Sequence, residues 1–466
     1  MKVENIEDIY ELTPVQKGIL FHSIQGNESQ LYLFQIVYNV YSPINIDAFE
    51  KSWQILVDRH TILRTGFYWE EIDNPLQVVY TEVKAPINHY DWRNLQQGEQ
   101  ENQLQAFIDS DRQQGFDFSQ PCLMRLSLIR LADDCYQLIW TYHFIIIDGW
   151  TDSLVIKEFV QIYEALSHNQ EISLASTRPY KDYINWLKQQ DISKTEFFWR
   201  QALQGRQTPT SLKYIEKINQ SPTHEQRYDE EKIKLSLTNT QALQSLAIQY
   251  RLTLATIFNG IWAILLSRYS RCNDVLYGCT ANGRPVDLHG ADSIAGIFLN
   301  TLPIYIKIDA EQPLLSWLQL LQTKLVQTRR YEYTPLTEIH GWSEVPRKLT
   351  LFESIVVMED FSVKKFVKER GINLKIKYTK TYYKNNYPLN LVIYPDEELL
   401  VAFSYDSRRF EISTIIGILK QIEMFLYQLI ANPNVLIKDL LFSTKKQQLI
   451  TSILEEQLLG IELLKI

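Results

Sequence analysis

Three observations predict an α/β fold class with two domains. At 466 residues the chain exceeds what one ordinary core holds, so two domains of roughly 200 residues each follow. Helical and strand periods both occur in each half, and no sequence repeat relates the halves. Composition is that of a packed globular protein, 45% hydrophobic and 22% charged, without a low-complexity tract.

Taken in order, Thr13-Pro14-Val15-Gln16 starts a helix. Thr13 can cap it, Pro14 suits the first helical position, Gln16 completes a capping box, and Gly26 offers a stop. A second helix fits 47–60, where Phe49, Trp53, Leu56 and Val57 form one apolar stripe. LMRLSLIRL (123–131) and CYQLIWTYHF (135–144) read as two strands joined by a turn at Ala132-Asp133-Asp134. After Asp148-Gly149 a helix is expected over 152–166. The polar stretch 167–180 contains Pro179 and marks a boundary, giving domains at 1–175 and 176–466. The second half continues with helical YKDYINWLKQQ, a polar stretch at 203–230, a long apolar helical region over 239–270 and a helix at 316–333. Strands follow at 354–361, 389–394 and 399–405, then an amphipathic helix at 411–431.

Several function classes are disfavoured. A net charge of -8 leaves no electrostatic footprint for nucleic acid, and 16 glycines are few for an elaborate nucleotide-binding loop. Cys122, Cys135, Cys272 and Cys279 lack disulfide density and paired zinc-ligand spacing, and no HxH or HxxxH pattern suggests a metal. The N-terminus carries acids where a secretory signal needs basic and apolar segments. No apolar run reaches the ~20 residues of a membrane span, because ILKQIEMFLYQLI is interrupted by charge and amide. A soluble cytoplasmic protein is expected.

The stretch TYHFIIIDGWTD (141–152) holds the chemistry. Strand alternation places Tyr142 and Phe144 on one face and His143 on the other, and Asp148-Gly149 marks a tight turn before a helix. Taken alone, a single His beside an apolar run reads more readily as a satisfied structural residue than as a site.

That stretch resembles the HHxxxDG signature of the condensation domains of nonribosomal peptide synthetases. LTPVQKGILFHS (12–23) resembles the family's opening motif, and DRHTILRTGF (58–67) its RHExLRTxF motif, with Arg59, His60, Leu63, Arg64, Thr65 and Phe67 in place. YKDYINW (180–186) is similar to YxDFxxW, and NGRPVDLHGADSIAGIFLNTLP (282–303) to the GRP segment with its GxFxNT motif. LFESIVVMEDF (351–361) and NNYPLNL (385–391) complete the family order.

The resemblance implies two chloramphenicol-acetyltransferase-like subdomains forming a V-shaped, monomeric pseudo-dimer with a central tunnel. Donor and acceptor peptidyl carrier proteins would bring two phosphopantetheine-tethered thioesters, and the amine of one would attack the other to form an amide. No cofactor is implied on this chain, and no nucleic-acid or membrane partner. No carrier-type GGxS serine, adenylation Gly-rich loop or GxSxG elbow is present, so a condensation unit alone is expected.

One departure stands out. Counted back from Asp148 and Gly149, the motif's first His falls on His143 and its second on Phe144. In the family the second His carries the catalytic role, as base or as positioner of the amine, while the first His and the Asp are structural. Phe144 has neither lone pair nor donor and can do neither. His143 would point away, and the Tyr142 hydroxyl titrates too high for a base at neutral pH. By the resemblance, Arg59 and Arg64 are structural supports and candidate partners of Asp148, and Gly149 supplies a backbone angle or close approach. Tyr142, Trp150, Asn300 and Thr301 would line the tunnel, although Asn300-Thr301 can equally be turn chemistry. The basic stretch 364–380 reads as a solvated hairpin rather than a carrier-docking patch.

Three readings remain open: a condensation domain with weakened chemistry, a non-catalytic relative that binds carriers or recruits a tailoring enzyme, and an acyltransferase using soluble thioesters.

Overall fold

The computed structural model describes residues 5–25, 30–217, 228–359 and 375–440, so the end of the 351–361 motif and most of the basic stretch 364–380 lie outside the described residues. The elements in the first part of the chain are β1 (Ile6–Glu11), α1 (Pro14–Gln25), β2 (Leu33–Val40), α2 (Ile46–Arg59), β3 (Thr65–Tyr68), β4 (Leu76–Tyr80), β5 (Ile87–Asp91) and α3 (Gln97–Gln114). Next come β6 (Met124–Ala132), β7 (Cys135–His143), α4 (Gly149–Ser167), α5 (Lys181–Leu187), α6 (Ile192–Ala202), β8 (Tyr228–Lys234), α7 (Leu237–Gln249) and α8 (Leu254–Ser270). The remainder holds β9 (Asp274–Ala281), β10 (Asn300–Lys307), α9 (Leu314–Arg329), α10 (Leu336–Trp342), β11 (Ser354–Met358), β12 (Ile376–Tyr383), β13 (Leu389–Tyr394), β14 (Leu400–Asp406) and α11 (Ile412–Ala431).

Two compact units result. The first takes the described residues of Met1–Gln190, Arg284–Leu299 and Phe361–Asn386; the second takes those of Asp191–Gly283, Asn300–Asp360 and Tyr387–Ile466. This differs from a single cut between 175 and 176. The chain crosses between units more than once, because Arg284–Leu299 and β12 find their hydrogen-bond partners in the first unit.

The first unit is built on a five-stranded sheet ordered β12-β2-β7-β6-β5, with a small β1-β4-β3 sheet beside it. One face carries Ile36, Leu138 and Trp140, which bury against the stripe Phe49, Trp53, Leu56 and Val57 of α2 and against Val155 and Phe159 of α4. Those α2 residues are the ones expected from helical spacing. The other face meets α3, a polar helix absent from the elements expected above. Its Asp111 accepts from Arg125 Nε at 2.6 Å, Gln35 Nε2 at 2.7 Å and the Thr141 hydroxyl at 2.6 Å. This helix docks by a buried polar network as much as by an apolar stripe, so hydrophobic period gives little signal. β12 closes the sheet as an edge strand whose Lys377 and Lys380 discourage further strand addition.

The second unit holds a six-stranded sheet ordered β10-β9-β11-β13-β14-β8, packed on α8, α9 and α11. The helix expected over 239–270 is two helices meeting at 101°: Arg251 turns left-handed at φ 55°, and Thr253 caps α8 by accepting from the Thr256 N–H. α11 is long and apolar enough by composition to pass for a membrane span, which corrects the expectation that no segment is. Its Ile415, Ile418, Leu419, Ile422, Phe425 and Leu429 are core residues of this unit.

Candidate functional site

The 141–152 stretch lies entirely in the first unit. β7 pairs with β2 so that Tyr142 faces Phe34, and β12 pairs with β2 so that Tyr383 faces Phe34 from the other side. A cross-strand aromatic row follows, with ring centroids at 5.3 Å for Phe34–Tyr142 and 3.9 Å for Phe34–Tyr383. Phe144 extends the ladder one step past the strand, its N–H donating to the Tyr32 carbonyl at 2.8 Å. Its ring sits 5.5 Å from Phe34, 6.1 Å from Tyr383 and 6.4 Å from Tyr32, and the residue is 8% exposed. Phe144 and Tyr142 therefore share a face, as alternation predicts.

His143 points the other way, edge-on to Phe118 at 4.8 Å. Its Nδ1 accepts from the Ile145 N–H at 3.2 Å, and its Nε2 lies 3.4 Å from Ser23 Oγ. Ser23 already donates to the Ile19 carbonyl at 2.8 Å, so the pattern assigns a neutral ring with the proton on Nε2. Burial pushes the pKa down to about 3, with a backbone hydrogen bond at Leu31 working against it. The one lone pair of His143 is taken, so this residue cannot stand in as base.

A test follows from that burial. A folded-state pKa below the ordinary 6.5 means the unfolded chain binds the proton more tightly. The contribution is fully present above about pH 6.5 and is lost as pH falls towards 3, with a ceiling of about 5 kcal/mol. Urea unfolding of the native chain should show this acid slope between pH 6.5 and 4, and His143→Phe should flatten it.

Asp148 is 1% exposed and does several jobs. Its Oδ1 caps α4 by accepting from the Thr151 N–H at 2.8 Å, which starts the helix at Gly149 rather than at the expected 152. Its Oδ2 accepts from the N–H groups of Phe298 and Leu299 at 2.9 and 3.1 Å. Its ion-pair partner is Arg284 at 3.7 Å, and both side chains are 1% exposed. Arg284 also donates to the carbonyls of Ala291 and Ile294, and lies over the Phe298 ring at 4.1 Å.

Neither Arg59 nor Arg64 reaches Asp148. Arg59 is bidentate to Glu158 at 3.1 and 3.2 Å, where His60 Nε2 also sits at 2.7 Å. Arg64 donates to Glu7 at 2.6 Å and to the Val57 and Asp58 carbonyls. They follow one another around the end of α2 and point to different neighbours. Gly149 is simply the first residue of α4, and positive φ among the described glycines falls elsewhere, at Gly283 and Gly296 for example. At Gly296 a Cβ would lie 2.2 Å from the Tyr180 ring. Trp150 donates to the Asp292 carbonyl at 3.1 Å. Asn300, in the second unit, spends its amide on the Glu332 and Thr334 carbonyls at 2.9 and 2.6 Å, with Thr301 N–H on its Oδ1.

Two supporting residues are not apparent from the motifs themselves. Gln16, inside the opening motif, closes the Thr13 capping box and donates to the Ile145 carbonyl at 3.3 Å, bracing the loop after Phe144. Arg284 is visible in the sequence only as part of NGRP, with nothing local to indicate its partner. Among the described residues no group of three or more His, Cys, Asp or Glu could hold a metal.

A family model described as "Condensation domain" matches residues 6–451. The chain belongs to the condensation-domain family. A linear gramicidin synthase of Brevibacillus parabrevis is 39% identical over 448 residues, which cover 96% of this chain and 9% of that protein. The chain thus spans under a tenth of the length of that relative. Among solved structures, the four-domain nonribosomal peptide synthetase holo-AB3403, bound to AMP and glycine, superposes with a TM-score of 0.80 at 17% identity, over 96% of this chain and 35% of that one. The X-domain from teicoplanin biosynthesis, solved in complex with OxyB, superposes at 0.74 and 18% identity, over 95% and 97% of the two chains. Both likenesses concern the fold. The expected fold class stands.

Proposed function

We propose that this condensation domain binds two carrier-tethered thioesters and forms an amide between them without a side-chain base at position 144. One observation carries the reading. Phe144 is packed among Tyr32, Phe34 and Tyr383, and the neighbouring imidazole of His143 has its lone pair engaged. The acceptor amine must then arrive neutral. Its nitrogen attacks the thioester carbonyl, the carbon–sulfur bond breaks, and the amine proton ends on the leaving thiolate through solvent. A positioned acid–base group contributes about 10²–10⁴-fold, roughly 3–5 kcal/mol, whereas juxtaposing two bound reactants contributes about 7–11 kcal/mol. Juxtaposition, the greater of the two effects, does not need a histidine. The phosphopantetheine arms belong to the substrates.

The test is a single-turnover assay with a loaded donor carrier and a loaded acceptor carrier. Amide should form above the protein-free control, with a rate that rises along one limb as the acceptor amine deprotonates. Carriers that bind yet give no amide at any pH would sink this reading. That outcome would support the second one, a non-catalytic platform for a tailoring enzyme, which the same Phe144 and the fold shared with the OxyB-binding X-domain favour.

A further inference from the structure

Within the first unit the ends of β7 and β12 meet at Tyr32, the residue that precedes β2. The Tyr32 carbonyl accepts from the Phe144 N–H at 2.8 Å, and its N–H donates to the Lys384 carbonyl at 3.0 Å. Its backbone is left-handed, with φ 62°, which is uncommon for a bulky side chain, and those two bonds hold it there. The Tyr32 ring lies nearly parallel to that of Phe144, and its hydroxyl donates to Asn386 Oδ1 at 3.2 Å. Burial holds that hydroxyl well above its usual range, so it keeps its proton. Asn386 is exposed, and its amide nitrogen has no hydrogen-bond partner among the described residues.

We propose that Asn386 binds the donor chain at the motif site, its amide nitrogen donating to a carbonyl oxygen beyond the thioester, and that Tyr32 positions it. The assignment rests on one part of the function proposed above, the binding of a carrier-tethered donor. In that reaction the acceptor ends in a free amine, so a second carbonyl belongs to the donor. The site then favours an N-acylaminoacyl or peptidyl chain over a plain hydrocarbon chain.

A carboxamide suits this task, because it is uncharged and its planar head carries two N–H donors beside one acceptor oxygen. Tyr32 spends its proton on that oxygen, which fixes the plane and decides on which side the nitrogen lies. The rings of Phe144 and Phe34 offer no hydrogen bond of their own. Asn386 is thus an exposed donor joined to Phe144 through a single residue, whose backbone bonds Phe144 and whose hydroxyl holds the carboxamide.

The test is equilibrium binding of the full chain to a donor carrier bearing either N-acetylglycyl or pentanoyl, chains of equal length, on a stable amide-linked arm. The native chain should bind the N-acetylglycyl carrier about fivefold more tightly, the worth of one hydrogen bond. Asn386→Asp keeps the acceptor for Tyr32 and removes both donors, so the preference should vanish. Tyr32→Phe keeps the ring and frees the carboxamide to turn. It should cut the preference to about twofold, and have no further effect on the preference in Asn386→Asp. A preference that survives in Asn386→Asp, even with both carriers weakened alike, would overturn the proposal by showing a merely structural role. Equal or absent binding of the two carriers by the native chain would overturn it as well. Amide formation is read separately: a preference that stands while the two-carrier assay yields no amide sinks the amide-forming reading and leaves this one intact.

Discussion

Asp148→Ala is expected to lower the unfolding free energy by about 3–5 kcal/mol, the largest stability effect of any single change at the motif. The substitution removes the cap of α4, worth about 1 kcal/mol by itself, and strips the acceptor from the N–H groups of Phe298 and Leu299. Above all it removes the carboxylate 3.7 Å from the buried Arg284 guanidinium, leaving that charge to its carbonyl acceptors and to the weaker pull of Asp292. Urea midpoints with unchanged slope would measure the loss. Adding Arg284→Met to Asp148→Ala should recover part of it, since the buried guanidinium is then gone. Additive losses in the double variant would show that the pair is not coupled.

Phe144→His is expected to raise the single-turnover rate of amide formation by about 10²–10⁴-fold in the two-carrier assay. The new imidazole would occupy the end of the aromatic row, where burial should keep it neutral and able to accept a proton. The pH profile should change as well. The native chain shows a single limb set by the amine, whereas Phe144→His should reach its plateau at lower pH. An increase confined to substrate binding, with the bound-state rate unchanged, would mean that position 144 affects binding without handling protons.

How far the site could be read from residue order depends on the range of each interaction. Alternation along 135–144 correctly put Phe144 beside Tyr142 and His143 on the opposite side, because side-chain direction in a strand is a property of the strand itself. The stripe Phe49, Trp53, Leu56 and Val57 was equally readable, since 3.6-residue periodicity is local. Several elements resisted, α3 and β12 among them. α3 docks through Asp111 and its polar partners, which weaken the apolar period that identifies a helix. β12 is a charged edge strand whose partner, β2, lies far away in the chain.

The partner of Asp148 shows the same boundary. Arg59 and Arg64 sit in the neighbouring motif and look suitable on charge alone, yet each is claimed by another carboxylate, Glu158 and Glu7 respectively. Arg284 becomes the partner only because a segment from late in the chain returns to the first unit. By itself the amino-acid sequence determined the family, the alternation along 135–144 and the apolar stripe of α2, since these depend on spacing and on short-range periodicity. Tertiary structure alone decided what surrounds Phe144, which nitrogen of His143 is engaged and who grips Asp148, because each depends on contacts between segments whose separation in the chain carries no local signal.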